Sequence, residues 1–304
     1  MRDFLKSLYF AVIQFAQTLV TLIVIAAVNK IGISRKIGLL RKTVKDRPVS
    51  ILSGGPSAKE VLSERQDLLE GTDLLVLNFF GNTDYFFQYK PSYYVLLDPS
   101  FFNVNYVNKG LNENETNESR TQEMLLVDNL NRVDWPLILF VPYQKGGGRV
   151  AGSAIDNPNI KMIQYHGTRI MGFNWFQNMM YRHNQGLPSS RNVIIPSMIL
   201  MANIGYKKMY LYGCEFSWTK TMDVDLKNGR MYFNDKHFYS EEEIRYFGKG
   251  AYLWWLDGIS EMLHGVEQVA QYAQKIGAHI VNRTKGSFID CFDYENPDTI
   301  EKRL

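Results

Sequence analysis

From Pro48 onward, short apolar runs alternate with helical stretches, and this alternation limits the fold more than any other feature of the sequence. Strands that alternate with helices are typical of a parallel sheet covered by helices on both faces. The sequence therefore predicts an α/β, Rossmann-like domain over residues 48–304, built on a mostly parallel sheet. The predicted strands cover residues 49–53, 74–78, 93–97, 137–141, 161–165, 208–212 and 278–281, and the predicted helices cover residues 58–69, 194–203 and 258–275.

Two segments interrupt this alternation. Residues 112–123 are polar throughout, which predicts a mobile loop. Residues 217–250 are long, weakly periodic and rich in aromatic and acidic side chains. Because a long irregular insertion in a compact domain is often a lid or binding loop, we expect residues 217–250 to form a lid over a site.

The N-terminal segment is strongly apolar. Residues 8–28 carry no charged side chain, and about 20 such residues suffice to cross a bilayer as a helix. Gln14, Thr18 and Thr21 fall near one helical face. Such a polar stripe also suits a helix that lies in the membrane interface or packs against partners, and a buried soluble helix is a further alternative. We predict a membrane-associated helix over residues 1–29 that contacts lipids through residues 4–28.

A basic stretch follows the apolar segment and contains a single acid, Asp46. Positive charge next to a membrane helix concentrates on the cytoplasmic side, near anionic headgroups. Residues 30–47 are therefore predicted to be a basic linker, which places the catalytic domain on the cytoplasmic face of the inner membrane; an ordinary solvated linker is the alternative. The basic residues are Lys30, Arg35, Lys36, Arg41, Lys42, Lys45 and Arg47.

The overall charge and the cysteines argue against a nucleic-acid-binding protein and against a cysteine-based metal site. The net charge of +3 and the pI of about 8.6 are too mild to indicate a nucleic-acid-binding protein. Cys214 and Cys291 form neither a CxxC pair nor a metal-binding spacing, so we expect free thiols in a reducing compartment. No HExxH or zinc-ribbon pattern is present, and no metal site is predicted.

The sharpest local motif is the turn Gly54-Gly55-Pro56-Ser57, which follows the first predicted strand. Glycines let a backbone approach a ligand closely, Pro56 suits a helix start, and Ser57 is able to cap free amides. A helix that begins here would offer N–H donors to a phosphate. The motif is neither a P-loop, which needs a lysine, nor GxGxxG.

Polar residues also end several other predicted strands. Asn78 ends the second, Asp98 and Ser100 follow the third, and Glu215 follows the strand at 208–212. Ligands of open α/β sheets bind beyond the carboxyl ends of the strands, so these residues predict one shared cleft. Each of them taken alone is equally explained as a turn or cap residue.

These motifs together resemble the bacterial sialyltransferases that modify lipooligosaccharide, and the wider sialyltransferase-like group found in surface-glycan and flagellin-glycosylation loci. The resemblance extends over about residues 49–292, and its most specific part is the apolar helix followed by Gly-Tyr-Lys and a strand ending in Gly-x-Asp-Phe. The matching residues here are Gly55-Pro56-Ser57, Asn78, Asp98-Pro99-Ser100, Asn192 at the start of the apolar helix, Gly205-Tyr206-Lys207, and Gly213-Cys214-Glu215-Phe216.

The resemblance implies a CMP-sugar donor, a glycan or glycolipid acceptor, no required metal or other cofactor, and a cleft closed by a lid. It also implies a histidine general base near the lid and tyrosine hydroxyls on the donor phosphate. His237 is the only histidine in residues 217–250, so it is the expected base, with Tyr239 or Tyr232 on the leaving phosphate. Relatives in this group are often homo-oligomers, which leaves that state open.

The sequence departs from the resembled pattern at three positions. Gly54 and Asp98 stand where the group has asparagine, and Ser217 stands where it has tyrosine. These changes leave the donor sugar undefined, and they motivate a non-catalytic membrane scaffold as one alternative. A second alternative is an ATP- and Mg²⁺-dependent pyrophosphokinase-like enzyme of the same fold, which would need clustered carboxylates such as Asp223, Asp225 and Asp235.

Overall fold

Eight parallel strands form the centre of the fold in the computed structural model, which describes residues 2–41, 46–103, 113–144, 149–189, 191–240 and 242–301. The predicted α/β, Rossmann-like architecture is confirmed. The strand order is β11-β10-β6-β1-β2-β3-β4-β5. The strands are β1 (Val49–Leu52), β2 (Asp73–Leu77), β3 (Tyr93–Val95), β4 (Leu137–Pro142), β5 (Ile160–Tyr165), β6 (Lys208–Tyr212), β10 (His279–Asn282) and β11 (Asp293–Tyr294), with β7 to β9 outside this sheet.

Helices cover both faces of the sheet and bury two apolar layers against it. Side chains of α2, α6, α7 and α8 pack on one face, and side chains of α3, α4 and α5 pack on the other. All residues of α7 are buried, which explains its apolar sequence. The helices are α1 (Arg2–Val28), α2 (Ile31–Leu40), α3 (Ala58–Ser63), α4 (Asp84–Tyr89), α5 (Glu113–Asn131), α6 (Asn174–Arg182), α7 (Ile194–Ile204) and α8 (Ala251–Lys275).

The order of the strands creates a switch point between β1 and β6. The chain proceeds outward from β1 to β5 and then returns to the other side of β1 as β6. At such a point the loops after the two neighbouring strands diverge and leave a crevice beyond their carboxyl ends. The loop after β1 carries the Gly54-Gly55 turn and the loop after β6 carries Glu215, so the fold brings the two strongest motifs to one place.

The insertion, residues 217–250, is more regular than its sequence indicated. It contains a three-stranded antiparallel sheet of β7 (Asp223–Asp225), β8 (Arg230–Asp235) and β9 (Glu243–Tyr246). The helix expected at 258–275 begins at Ala251, directly after the insertion. Phe233 and Phe247 contact Trp255 of this helix, with ring centroids 5.4 and 5.2 Å apart, which attaches the small sheet to α8.

The predicted linker over residues 30–47 is wrong for most of its length, because residues 31–40 form α2. Ile33, Ile37 and Leu40 recur at helical spacing and are buried, and α2 packs against α7 and β5. The exposed positions of α2 include Arg35 and Lys36. Of the basic residues of this stretch, Lys42 and Lys45 lie outside the described residues.

Helix α1 is long and apolar enough over Asp3–Val28 to cross a membrane, the one such helix in the described part of the chain. Of its polar stripe, Thr18 and Thr21 are buried against the segment that precedes α6. Thr18 and Thr21 therefore pack on the protein itself, whereas Gln14 of the stripe is exposed and most large apolar side chains of α1 point outward.

Two other expectations are corrected. The loop expected over residues 112–123 is helical from Glu113, since α5 is held by Leu126, Val127 and Leu130 buried further along it. Residue 112 lies outside the described residues. The helix expected over 58–69 ends at Ser63, and a 3₁₀ turn follows over Gln66–Leu69.

Candidate active site

A cleft of about 410 Å³ opens beyond the carboxyl ends of β1 and β6, at the switch point of the sheet. One side of the cleft is formed by the loops after β1, β2 and β6 and by the start of α7, and the other side is formed by the insertion. The lining residues are Ser53, Gly54, Gly55, Pro56, Leu77, Asn78, Asn192, Val193, Gly213, Glu215, Phe216, Ser217, Trp218, Lys220, Thr221, Asn234, Asp235, Lys236, His237, Tyr239 and Glu242.

The Gly54-Gly55 turn forms the floor of this cleft. The Gly55 N–H donates to the Gly213 carbonyl at 3.0 Å, which ties the loops after β1 and β6 together. A Cβ at Gly55 would lie 1.5 Å from Glu215 Oε2 and 2.5 Å from the Gly213 carbonyl oxygen. Glycine is therefore required here because the Glu215 carboxylate and a backbone carbonyl occupy the space of a side chain.

Glu215 changes the expected role of the helix start. Its Oε1 accepts a hydrogen bond from the Ser57 N–H at 2.7 Å, and the Ser57 side chain makes no cap. The carboxylate thus takes the place that the sequence had assigned to a donor phosphate at the start of α3. Phosphate binding at this helix start stays a prediction, and this arrangement disfavours it because a second anion beside Glu215 would be repelled.

His237 and Tyr239 lie directly above Gly54. Their rings stack with centroids 5.1 Å apart and an interplanar angle of 8°. His237 Nδ1 lies 3.3 Å from the Gly54 carbonyl oxygen, and the Phe238 N–H donates to the same oxygen at 3.0 Å. A Cβ at Gly54 would lie 2.9 Å from the Tyr239 hydroxyl, so asparagine does not fit here while Tyr239 is in place.

Asp235 stands behind the imidazole. Its Oδ1 lies 3.8 Å from His237 Nε2, and its Oδ2 pairs with the Arg245 guanidinium at 3.1 Å. When Nδ1–H of a neutral His237 donates to Gly54, the lone pair remains on Nε2, where the ring is able to accept a proton. This arrangement suits a general base.

Tyr239 suits a hydrogen-bond donor. Burial raises the pKa of its hydroxyl well above the ordinary value, and the negative charge of Asp235 adds to this rise. The hydroxyl therefore keeps its proton at neutral pH. A protonated phenol beside the Gly54 turn is able to donate to an anionic oxygen in the cleft.

Several buried oxygen atoms of the cleft are hydrogen-bond acceptors without a partner in the described part of the chain. They belong to Asn78 (Oδ1), Glu215 (Oε2) and Asn234 (Oδ1). Buried polar atoms are nearly always paired, so such atoms favour a ligand that supplies hydroxyl or amino donors. Asn78 and Phe216 also have left-handed backbone conformations, with φ of 46° and 54°, and strain of this kind often occurs at functional sites.

Four of the predicted site residues do not line the cleft: Ser57, Asp98, Ser100 and Tyr232. Tyr232 lies on β8, paired with Asp223 and with its ring 5.7 Å from that of Tyr246. Asp98 is exposed, and its side chain accepts from the Ser100 N–H at 2.9 Å, as a cap of the turn after β3. The alternative that Asp98 and Ser100 are turn residues therefore holds.

The remaining predicted residues do line the cleft. Gly54, Gly55, Pro56, Asn78 and Glu215 meet His237 and Tyr239 there, and Ser57 contacts Glu215 at its edge. Asn192 lines it as well, and its side chain accepts from the Ile194 N–H at 2.9 Å just before α7, whose N-cap residue is Val193.

The carboxylates needed by a pyrophosphokinase-like enzyme are spread out. Asp223 and Asp225 pair with Tyr232 and Arg230 of β8, whereas Asp235 is the last residue of that strand. Asp225 is engaged by Asn228 and Tyr246 instead. Within the described ranges, no three histidine, cysteine or acidic side chains form a group suited to a metal ion.

Sequence reasoning did not assign Asp235 to the base, nor Lys220 and Lys236 to the cleft. Lys220 and Lys236 are the lysines among its lining residues. The spacing Asp235-x-His237 was a usable signal, because alternate residues at a strand end share a face. The lysines gave no signal, since exposed lysines are common.

Comparison with known proteins adds a structural similarity. No protein-family model and no curated protein matches the chain. Among solved structures, the chain is similar to the MAf glycosyltransferase from Magnetospirillum magneticum AMB-1, with a TM-score of 0.45 and 12% sequence identity. The similarity covers 89% of this chain and 39% of that protein's chain, so this chain spans well under half of its length. The function proposed below rests on the residues of the cleft.

Proposed function

We propose that this chain is a membrane-attached glycosyltransferase on the cytoplasmic face of the inner membrane. It moves a sugar, sialic acid or a related acidic sugar, from a CMP-activated donor to a surface-glycan or lipid-linked acceptor. The observation that carries this proposal is the stacked pair of His237 and Tyr239 above Gly54, in a cleft at the switch point of the sheet.

In the proposed reaction, His237 Nε2 accepts the proton of an acceptor hydroxyl. The oxygen of that hydroxyl forms a bond to the anomeric carbon of the donor. The bond from that carbon to the phosphate oxygen breaks, and CMP leaves with the electron pair. The Tyr239 hydroxyl donates to the departing phosphate, and Lys220 supplies positive charge at the cleft, whereas Lys236 pairs with Glu242 at 3.7 Å.

The unpaired acceptors suit the remainder of such a donor. Asn78 Oδ1, Glu215 Oε2 and Asn234 Oδ1 accept hydrogen bonds, and a nucleotide sugar offers ribose and sugar hydroxyls and an amino group on cytosine. Glu215 in particular suits hydroxyl groups, because its charge disfavours a phosphate beside it.

The test is nucleotide release from CMP-sialic acid, a UDP-hexose and a GDP-hexose by purified protein in detergent, each with and without Mg²⁺. We expect CMP release from the CMP donor alone, without a need for Mg²⁺. Release of UDP or GDP would keep glycosyl transfer and reject the CMP donor. AMP formation from ATP that needs Mg²⁺ would support a pyrophosphokinase-like enzyme, and no turnover with bound nucleotide would support a scaffold.

A further inference from the structure

We propose that α1 lies along one leaflet of an anionic membrane, with Thr18 and Thr21 of its polar stripe docked on the protein, and does not cross the bilayer. Trp175 and Met179 of α6 extend the apolar surface that enters this leaflet. The inference deepens the membrane attachment of the proposed function and is independent of the chemistry in the cleft.

The first observation is the close contact between α1 and the loop before α6. Thr21 Oγ1 accepts from the Met171 N–H, and Thr18 Oγ1 accepts from the Phe173 N–H, both at 3.2 Å. A Cβ at Gly172 would lie 2.0 Å from Thr18 Oγ1 and 2.8 Å from the Thr18 nitrogen. The helix backbone and the loop therefore touch, which leaves no room for lipid between them.

The second observation is a further anchor at the end of the helix. Thr168 donates to Asn29 Oδ1 at 2.8 Å, and the Lys30 N–H lies 3.3 Å from His166 Nε2. From Thr18 to Lys30 the docked length is about 18 Å, at a rise of ~1.5 Å per residue. This half of the candidate span is thus fixed to the loop that follows β5.

Crossing the bilayer conflicts with this docking. A spanning helix places about 20 residues in a hydrocarbon core about 30 Å thick, whereas the part of Asp3–Val28 ahead of Thr18 measures about 22 Å. A docked helix that crossed would carry the loop of His166 to Phe173 into the hydrocarbon, where irregular backbone cannot be satisfied. A helix that lies in the interface avoids this cost.

The outward face of α1 has the composition that a leaflet requires. Its large apolar side chains are exposed along the whole helix, among them Phe4, Leu8, Phe15, Leu19 and Ile23. Trp175 continues this surface, because its ring stacks on Phe173 with centroids 6.4 Å apart and Phe173 bonds to Thr18. Met179 lies one turn further along α6 and is 40% exposed.

Charge selects the kind of membrane. Lys6, Lys30, Arg35 and Lys36 are exposed on α1, on α2 and between them, and Asp3 is the one acid within described residues 3–41. Basic groups around an apolar face fit an anionic leaflet better than a second copy of the same basic surface.

The docking also positions the cleft. His166 directly follows β5, so α1 meets the protein at the same edge of the sheet on which the cleft opens. β5 lies four strands from β1, which is roughly 19 Å at ~4.8 Å per strand. An acceptor attached to lipid in this leaflet would therefore reach the cleft without leaving the membrane.

The first test concerns the sides of the membrane on which α1 and the catalytic domain lie. Ser7→Cys and Ser260→Cys, each combined with Cys291→Ser, are treated in sealed membrane vesicles with a membrane-impermeant maleimide. We expect both cysteines to react from the same face of the vesicle. Reaction from opposite faces would show that α1 crosses and would overturn the proposal.

The second test concerns the surface itself. Trp175→Ala should weaken binding to vesicles of phosphatidylcholine and phosphatidylglycerol severalfold, whereas Trp254→Ala should not; the two side chains are 61% and 63% exposed. Equal loss in both variants, or self-association through α1 in place of vesicle binding, would contradict the proposed surface. CMP release in detergent should be unchanged by Trp175→Ala, so a failure here is distinguishable from a failure of the proposed function.

Discussion

At the scale of single residues, the site depends on a few short contacts around the Gly54-Gly55 turn. His237 and Tyr239 approach it from the insertion, and Glu215 approaches it from β6. Asp235 holds a negative charge behind His237 and is itself neutralised by Arg245.

His237→Ala should reduce sugar transfer by roughly two orders of magnitude or more, because a general base contributes about that much. Nucleotide binding should survive, since the other cleft residues remain. Transfer rates and CMP affinity by calorimetry measure the two effects. His264→Ala is the matched control, because His264 is exposed on α8 and lies outside the cleft. Equal turnover of the two variants would show that His237 is not the general base.

Gly55→Ala should lower the free energy of unfolding by about 1–3 kcal/mol, the usual cost of overpacking. The added Cβ would meet both Glu215 and the Gly213 carbonyl. Denaturant unfolding of Gly55→Ala and Gly258→Ala gives the comparison, because a Cβ at Gly258 has no atom within 4 Å. Gly258→Ala lies inside α8 and should be neutral or slightly stabilising; equal effects would contradict the packing described for the turn.

At the scale of elements, His166 joins the α1–α2 junction to the end of β5. Burial lowers its pKa from 6.5, although the hydrogen bond with the Lys30 backbone partly opposes this. Below pH 6.5, His166 therefore binds a proton more readily in the unfolded chain than in the folded chain. The free energy of unfolding decreases as the pH falls through this range.

His166→Gln should weaken the pH dependence of the free energy of unfolding. Urea unfolding at a series of pH values from 7.5 downward measures it, and the wild-type free energy of unfolding should fall more steeply below pH 6.5 than that of the variant. Parallel curves for the two proteins would show that His166 does not carry this effect.

An element was predictable from the sequence where its own residues decide its structure, and less so where pairing with other segments decides it. Most of the parallel strands were predictable because they are short apolar runs buried on both faces, as in β1 and β2. Strand β11 consists of two exposed residues and was not predicted. Helix α2 was also predictable from the helical spacing of Ile33, Ile37 and Leu40. The basic residues of the same stretch favoured a membrane-surface linker instead. The sheet of the insertion was missed, since its strands are short, largely exposed and fixed by pairing with one another.

The site was predictable where it depended on position in the sheet and less so where it depended on distant side chains. Strand ends brought Gly54, Asn78 and Glu215 together as the sequence indicated. The bond from Glu215 to Ser57 joins residues 158 positions apart and had no local signal. Asp98 follows β3 as expected, but its side chain accepts a hydrogen bond within its own turn and does not reach the cleft.

At the scale of the whole molecule, we propose that one surface contacts lipid and that one cleft binds nucleotide and acceptor. Helix α1, the proposed lipid-facing helix, docks at the edge of the sheet where the cleft opens. A membrane-bound acceptor would be held near the cleft, and this raises its effective concentration without new contacts to the acceptor itself.

The most direct measurement of the central claim is the thermal stability of the purified protein with CMP, CDP, UDP, GDP and ATP, each with and without Mg²⁺. CMP at about one hundred times its Kd should stabilise the folded state by about 2.7 kcal/mol, and the account predicts this effect for CMP without metal. Stabilisation by ATP that requires Mg²⁺, with none by CMP, would contradict it.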